Sequence, residues 1–166
     1  IFDRAGIIRC DSVRSQFDYA QAFVNQPLPK GRRVAVITNA GGPGIMTADA
    51  IERKGLTFAQ LSEETIAKLT ENLPSAANVN NPVDVLGDAM PDRYELAMEV
   101  VLADPGVDAV IVVLTPQAMT DCTETANAIL RAKENFPGKT ILASFLGGLQ
   151  IAEAIGILRR GGVPQY

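Results

Sequence analysis

Val34-Ala35-Val36-Ile37-Thr38 runs directly into Asn39-Ala40-Gly41-Gly42-Pro43-Gly44, and this stretch decides the fold. Its first part is a short apolar run of the kind that is buried on both faces of a parallel sheet. The glycine-rich turn lets backbone approach a neighbour closely. Pro43 suits the first position of a helix, where a missing N–H costs nothing. That helix is predicted to reach Lys54, with Gly55 as its stop. Strand, glycine turn and helix form the opening of a β-α-β unit.

Outward from there, the same alternation repeats. Leu56-Thr57-Phe58-Ala59 is a second strand, and Ser62 caps a helix through Leu73 with Ile66, Leu69 and Leu73 on one face. Pro74 to Met90 shows no period and is taken as a long connection. Pro91 opens a helix to about Ala103, closed by Asp104-Pro105-Gly106. Ala109-Val110-Ile111-Val112-Val113-Leu114 is the most hydrophobic strand. Thr120 then caps a helix to about Asn135, Thr140 to Phe145 is the next strand, and Leu149 to Arg160 the last helix. Val163 starts a further strand. Upstream, Ile7 to Cys10 is a short extended candidate. Asp11-Ser12 cap a helix to about Asn25 with Val13, Phe17, Ala20 and Val24 on one face. Gln26-Pro27-Leu28-Pro29-Lys30-Gly31 cannot continue a helix and serves as a linker.

Residues 1–30 are therefore expected to be the tail of a preceding domain plus linker, and residues 31–166 a C-terminally truncated domain. The expected fold is α/β: a flavodoxin-like, doubly wound parallel sheet in three αβα layers, with right-handed crossovers. Ligands in such sheets sit outside the carboxyl ends of the strands.

Composition narrows the function. The chain has 166 residues, 47% apolar and 20% charged, with a net charge of −4. That is enough chain for one ordinary core. The acidic balance argues against nucleic acid, which rewards clustered cations, and no apolar run is long enough for a membrane helix. There is no histidine and no tryptophan, so no Ser-His or Cys-His pair, histidine-held metal or phosphohistidine resides in this chain. Cys10 and Cys122 suggest a reducing, cytoplasmic compartment. Met46, Met90, Met98 and Met119 read as core filler.

The strongest candidate site is the segment Asn39, Ala40, Gly41, Gly42, Pro43, Gly44 and Ile45. Free amides at Gly42, Gly44 and Ile45, with the positive end of the helix dipole, would hold an anion such as phosphate. The same residues also serve as a plain strand-to-helix turn, and the glycine spacing matches neither a P-loop nor a dinucleotide motif. Asn81 and Asp84, in Asn80-Asn81-Pro82-Val83-Asp84-Val85-Leu86-Gly87-Asp88, and Thr115 and Gln117 are secondary candidates at the same sheet edge. Asp84 and Asp88 fit turn-capping better than acid/base or magnesium work. No catalytic residue and no metal ligand is assigned.

Taken together, Pro27 to Gly31, Val34 to Gly44, Asn81-Pro82-Val83-Asp84 and Thr115-Pro116-Gln117 resemble the NDP-forming acyl-CoA synthetases of the succinyl-CoA synthetase superfamily. Within these, the alpha subunits of ADP-forming acetate–CoA ligases are most similar. The resemblance covers nearly the whole chain. It implies an enzyme interconverting acyl-CoA, ADP and phosphate with acid, CoA and ATP, through an acyl phosphate and a phosphohistidine. It implies that this chain is the second flavodoxin-like domain, non-catalytic, with the helix after Gly42 pointing its amino end at the phosphohistidine phosphate. CoA, ATP/ADP and Mg would then be held elsewhere in the parent, and the partners would be its other domains or subunits. Two alternatives stay open: the ligase-like regulatory region of a protein lysine acetyltransferase, or a stand-alone anion-binding module. A homo-oligomer is compatible with each.

Overall fold

The computed structural model describes residues 2–166. Strands β1 (Arg33–Thr38), β4 (Ala109–Leu114) and β5 (Thr140–Phe145) form the centre of a parallel sheet. β2 (Thr57–Phe58) and β3 (Val83–Asp84) share the outer edge of β1, β2 beside Arg33 and Val34, β3 beside Ile37 and Thr38. The order is thus β2/β3, β1, β4, β5, with Gln165 continuing it in a parallel bridge to Ala143. This is the expected doubly wound arrangement.

Helices cover both faces, unequally. α3 (Glu63–Asn72), α4 (Pro91–Ala103), α5 (Cys122–Asn135) and α6 (Ala152–Arg160) pack side by side over the larger core, which contains Ile37, Leu69, Tyr94, Met98, Leu114, Ile129, Ile141 and Leu158. α2 (Gly41–Arg53) packs on the other face, through Ile51 against Val34, Val36, Ala109 and Val113. β-branched residues dominate β1 and β4 because their stiff side chains fill a pleated surface buried on both sides.

Several boundaries depart from the sequence expectation, each for a local reason. α2 begins at Gly41, not Pro43. Asp121, not Thr120, caps α5, its side chain accepting from the Glu124 N–H, because the Thr120 hydroxyl is engaged elsewhere. The last helix opens as a 3-10 turn over Leu149–Ile151. The long connection hides β3, which is too short to carry a period. Ile7 to Cys10 forms no strand. Of the four methionines only Met98 is buried; Met46, Met90 and Met119 are exposed.

The largest departure is α1 (Val13–Asn25). Ser12 caps it through a reciprocal pair with Ser15, yet none of its residues is buried. Val13, Phe17 and Val24 are 71%, 66% and 82% exposed. Its spacing reports a face suited to burial, but the described residues supply no surface to bury it. The segment after α1 is not a free linker either: Gln26 is buried, its amide donating to Gly162 O (2.8 Å) and accepting from the Ile141 N–H (2.9 Å).

Candidate anion site at the amino end of α2

Asn39, buried at the carboxyl end of β1, ties the site together. Its Nδ2 donates to Thr115 O at 2.9 Å, and its Oδ1 accepts from the Thr115 N–H at 2.9 Å. The side chain thereby carries the β1–β4 pairing past the end of both strands. Thr120 Oγ1 lies 3.4 Å from the same Nδ2 and accepts from the Gln117 N–H at 3.1 Å. Gln117 Nε2 in turn reaches Asn39 O at 3.4 Å. Asn39, Thr115 and Gln117 are therefore brought together, and Thr120 joins them. Beneath, Tyr94 is fully buried with its hydroxyl 2.9 Å from Val113 O. Burial, first of all, pushes its phenol well above the ordinary value. Neither Tyr94 nor Thr120 carries a sequence signal of this role, since each contacts residues far away in the chain.

Thr38 finishes the turn: its hydroxyl donates to Ala40 O (3.0 Å) and accepts from the Ala40 N–H (3.1 Å). α2 then starts with Ala40 as a cap that offers no side chain. Gly41 and Gly42 are the first two helical residues and are exposed. Amides at these positions have no partner within a helix. Pro43, third, has no N–H to satisfy. The Gly44 N–H donates back to Ala40 O at 3.1 Å, and Ile45 lies deeper in the helix. The outward amides are accordingly those of Gly41 and Gly42, and the expectation of Gly44 and Ile45 donors is corrected: the helix starts two residues earlier and its own ladder takes them up.

Each glycine has a different surrounding. A Cβ on Gly42 would meet nothing within 4 Å, whereas one on Gly44 would lie 2.9 Å from the Thr38 methyl. Gly44 is thus required by packing of α2 on β1. A Cβ on Gly41 would lie 3.6 Å from Asp84 Oδ2. Asp84 anchors its other oxygen on the Leu86 N–H at 2.9 Å, so one carboxylate oxygen already faces the amino end of α2.

Asn81 is not part of this site. Its Oδ1 accepts from the Val36 N–H (2.9 Å), and its Nδ2 donates to Val34 O (2.9 Å) and Ala59 O (3.0 Å). The side chain fills the gap along β1 between β2 and β3, completing an edge that two short strands leave open. Asp88 pairs with Arg93 at 2.6 Å, which holds its carboxyl below the usual range. Cys122 sits buried at the start of α5; burial, then the Asp121 charge, push its thiol up, the opposite of an activated nucleophile. Among the described residues no group of three or more Cys, Asp or Glu is arranged to hold a metal.

The sequence that builds this strand and helix also matches a known domain. The family model of the ligase-CoA domain matches residues 34–166. The chain belongs to this family. It is 43% identical over 169 residues to the alpha subunit of acetate–CoA ligase [ADP-forming] II from Pyrococcus furiosus, covering 99% of this chain and 36% of that one. With acetate–CoA ligase [ADP-forming] I from Archaeoglobus fulgidus it shares 38% identity, covering 99% of this chain and 23% of the relative. The fold of this ligase-CoA domain superposes with a TM-score of 0.93, at 30% identity, on dinucleotide-forming acetyl-coenzyme A synthetase 1 of Ca. Korarchaeum cryptofilum, solved in complex with phosphate and ADP. That match covers 99% of this chain and 36% of the solved one. The chain therefore spans about a third or less of each of these relatives. No helix is long and apolar enough to cross a membrane among the described residues.

Proposed function

We propose that this ligase-CoA domain completes the phosphoryl-transfer site of an ADP-forming acyl-CoA synthetase without supplying a reacting side chain. One observation carries the proposal: α2 presents two exposed glycines, Gly41 and Gly42, at an amino end whose first amides have no helical partner. The chain has no histidine, so a phosphohistidine of the parent enzyme would be brought to it from another domain or subunit. A phosphoryl group carries nearly two negative charges. Oriented amides and a helix dipole stabilise that charge without having to reorganise during transfer.

Asp84 gives this site its character. Its free oxygen faces the helix end from the Gly41 side, so the approach open to an anion is over Gly42. A carboxylate already there weakens the site for free phosphate in solution. A phosphate delivered on a tethered side chain has a much higher effective concentration and is bound nonetheless. The site is thus suited to a phosphoryl group in transit. CoA, nucleotide and magnesium would be held by other parts of the parent. The acyl group would likewise be held mainly by other domains.

The test is Gly42→Asp in the full-length synthetase, with Gly42→Ala as control. Gly42 has open space around it, so neither change disturbs packing. Phosphoenzyme formation should slow by about tenfold or more in Gly42→Asp, with CoA binding unchanged. Equal rates in all three proteins would reduce the loop to a turn.

A further inference from the structure

A cation-rich feature lies at the opposite end of the sheet from the α2 site. Beside the amino ends of β1, β4 and β5, a hollow of about 520 Å³ is lined by Lys30, Arg32, Arg33 and Lys139, with Asp108 as the one carboxylate in its wall. The chain as a whole is acidic, with 19 carboxylates to 15 cations. Four cations around one acid is therefore a local reversal of sign, and such a concavity concentrates anions.

The cations are not equivalent. Arg33 is held in place by Asp108, through Nε to Oδ2 (2.9 Å) and Nη2 to Oδ1 (2.8 Å), and by Pro105 O (3.1 Å). None of these bonds uses its Nη1. Lys139 is fixed by Asp104 O (2.9 Å) and Val107 O (2.6 Å). Burial, chiefly, holds its ammonium below the ordinary value, against the opposing pull of the Asp108 and Asp104 carboxylates, while the Arg33 and Lys30 charges add smaller downward pushes. Lys30 and Arg32 stand exposed at the rim, Arg32 resting on Gly55 O at 3.3 Å. Two cations are thus fixed in the wall and two stand exposed at the mouth.

We propose that this hollow binds a small phosphate-bearing anion, a di- or triphosphate group, with Arg33 and Lys139 as the rigid contacts and Lys30 and Arg32 closing over it. The volume exceeds one phosphoryl group and falls in the range of small-molecule sites. An arginine already oriented by a carboxylate loses little freedom on gripping phosphate. The hollow is separate from the α2 end: β1 has six residues, and six residues of strand span about 20 Å. One anion cannot touch both.

Pyrophosphate titrated into the chain, followed by backbone amide NMR, tests this. Saturable shifts are expected at Gly31, Val107 and Gly138, with sodium chloride at matched ionic strength producing none. The Lys30→Ala, Arg32→Ala double variant should bind roughly tenfold more weakly or worse. Both positions are exposed, so the fold is retained, and Lys30→Arg should restore binding at that position. ADP binding as tightly as pyrophosphate would identify the phosphoryl chain alone as the ligand; tighter ADP binding would add the nucleoside. No saturable shift at Gly31 and Gly138 by about 10 mM pyrophosphate overturns the proposal. So does equal response to chloride, or undiminished affinity in the double variant.

Discussion

Asp108 grips Arg33 at three points: its carboxylate accepts from Nε and Nη2 of the guanidinium and from the Arg33 backbone N–H at 2.9 Å. The pair clamps the entry of β1 to the entry of β4. It fixes the first residue of one strand against the residue just before the other.

The clamp has a signature in pH. The Arg33 guanidinium, then its backbone N–H, lower the Asp108 carboxyl from 3.8 to about 2. A depressed folded value means stability that is complete above the unfolded value, near 4, and lost as pH falls through about 2. Asp108→Asn should cost about 1–3 kcal/mol at neutral pH and remove that segment of the acid-unfolding curve. Urea titrations of both proteins at pH 7 and pH 3 check this; an unchanged pH dependence would contradict it.

Asn81→Ala should be among the most damaging polar truncations. It strips two hydrogen bonds from the β1 edge, at the Val36 N–H and Val34 O, and a third from Ala59 O, and Val34 O keeps only the Ala59 N–H. A loss of about 2–4 kcal/mol is expected, read as a lower melting temperature. The phosphate contacts proposed at Gly41 and Gly42 should survive in the protein that remains folded.

Gly42 and Gly44 of α2 should separate cleanly. Gly42→Ala is expected to be neutral or stabilising by up to about 1 kcal/mol, since alanine suits a helix better than glycine. Gly44→Ala forces a methyl against Thr38 and should cost about 1–3 kcal/mol. Thermal melts of both variants decide it. Equal melting temperatures would mean that Thr38 moves aside freely.

The face of the sheet that α2 only partly covers should make the chain self-associate. Ile111 and Leu142 lie half-buried on β4 and β5 there, beside Met46 and Leu146, which are 71% and 43% exposed. Parallel sheets are ordinarily covered on both faces, and an open apolar face of this kind is an association surface. Sedimentation velocity should show concentration-dependent oligomers that Leu142→Glu and Leu146→Glu reduce. A monomer at every concentration would count against it.

Much of this architecture was legible in the residues alone. The apolar runs at Val34, Ala109 and Thr140, the caps at Ser12 and Ser62 and the proline at Pro91 each act within a few positions of themselves, so local pattern identifies them. The glycine turn after Asn39 marked the start of a helix by the same local logic. Contacts made across the chain were not legible. Asn39 meets Thr115, and Asn81 spans the two short strands beside β1, only because the sheet order brings distant segments into register. Periodicity likewise marks Val13, Phe17 and Val24 as a face fit for burial, but a surface to bury it must come from another element. Local sequence determines which groups need partners; the tertiary fold decides which of those partners they find.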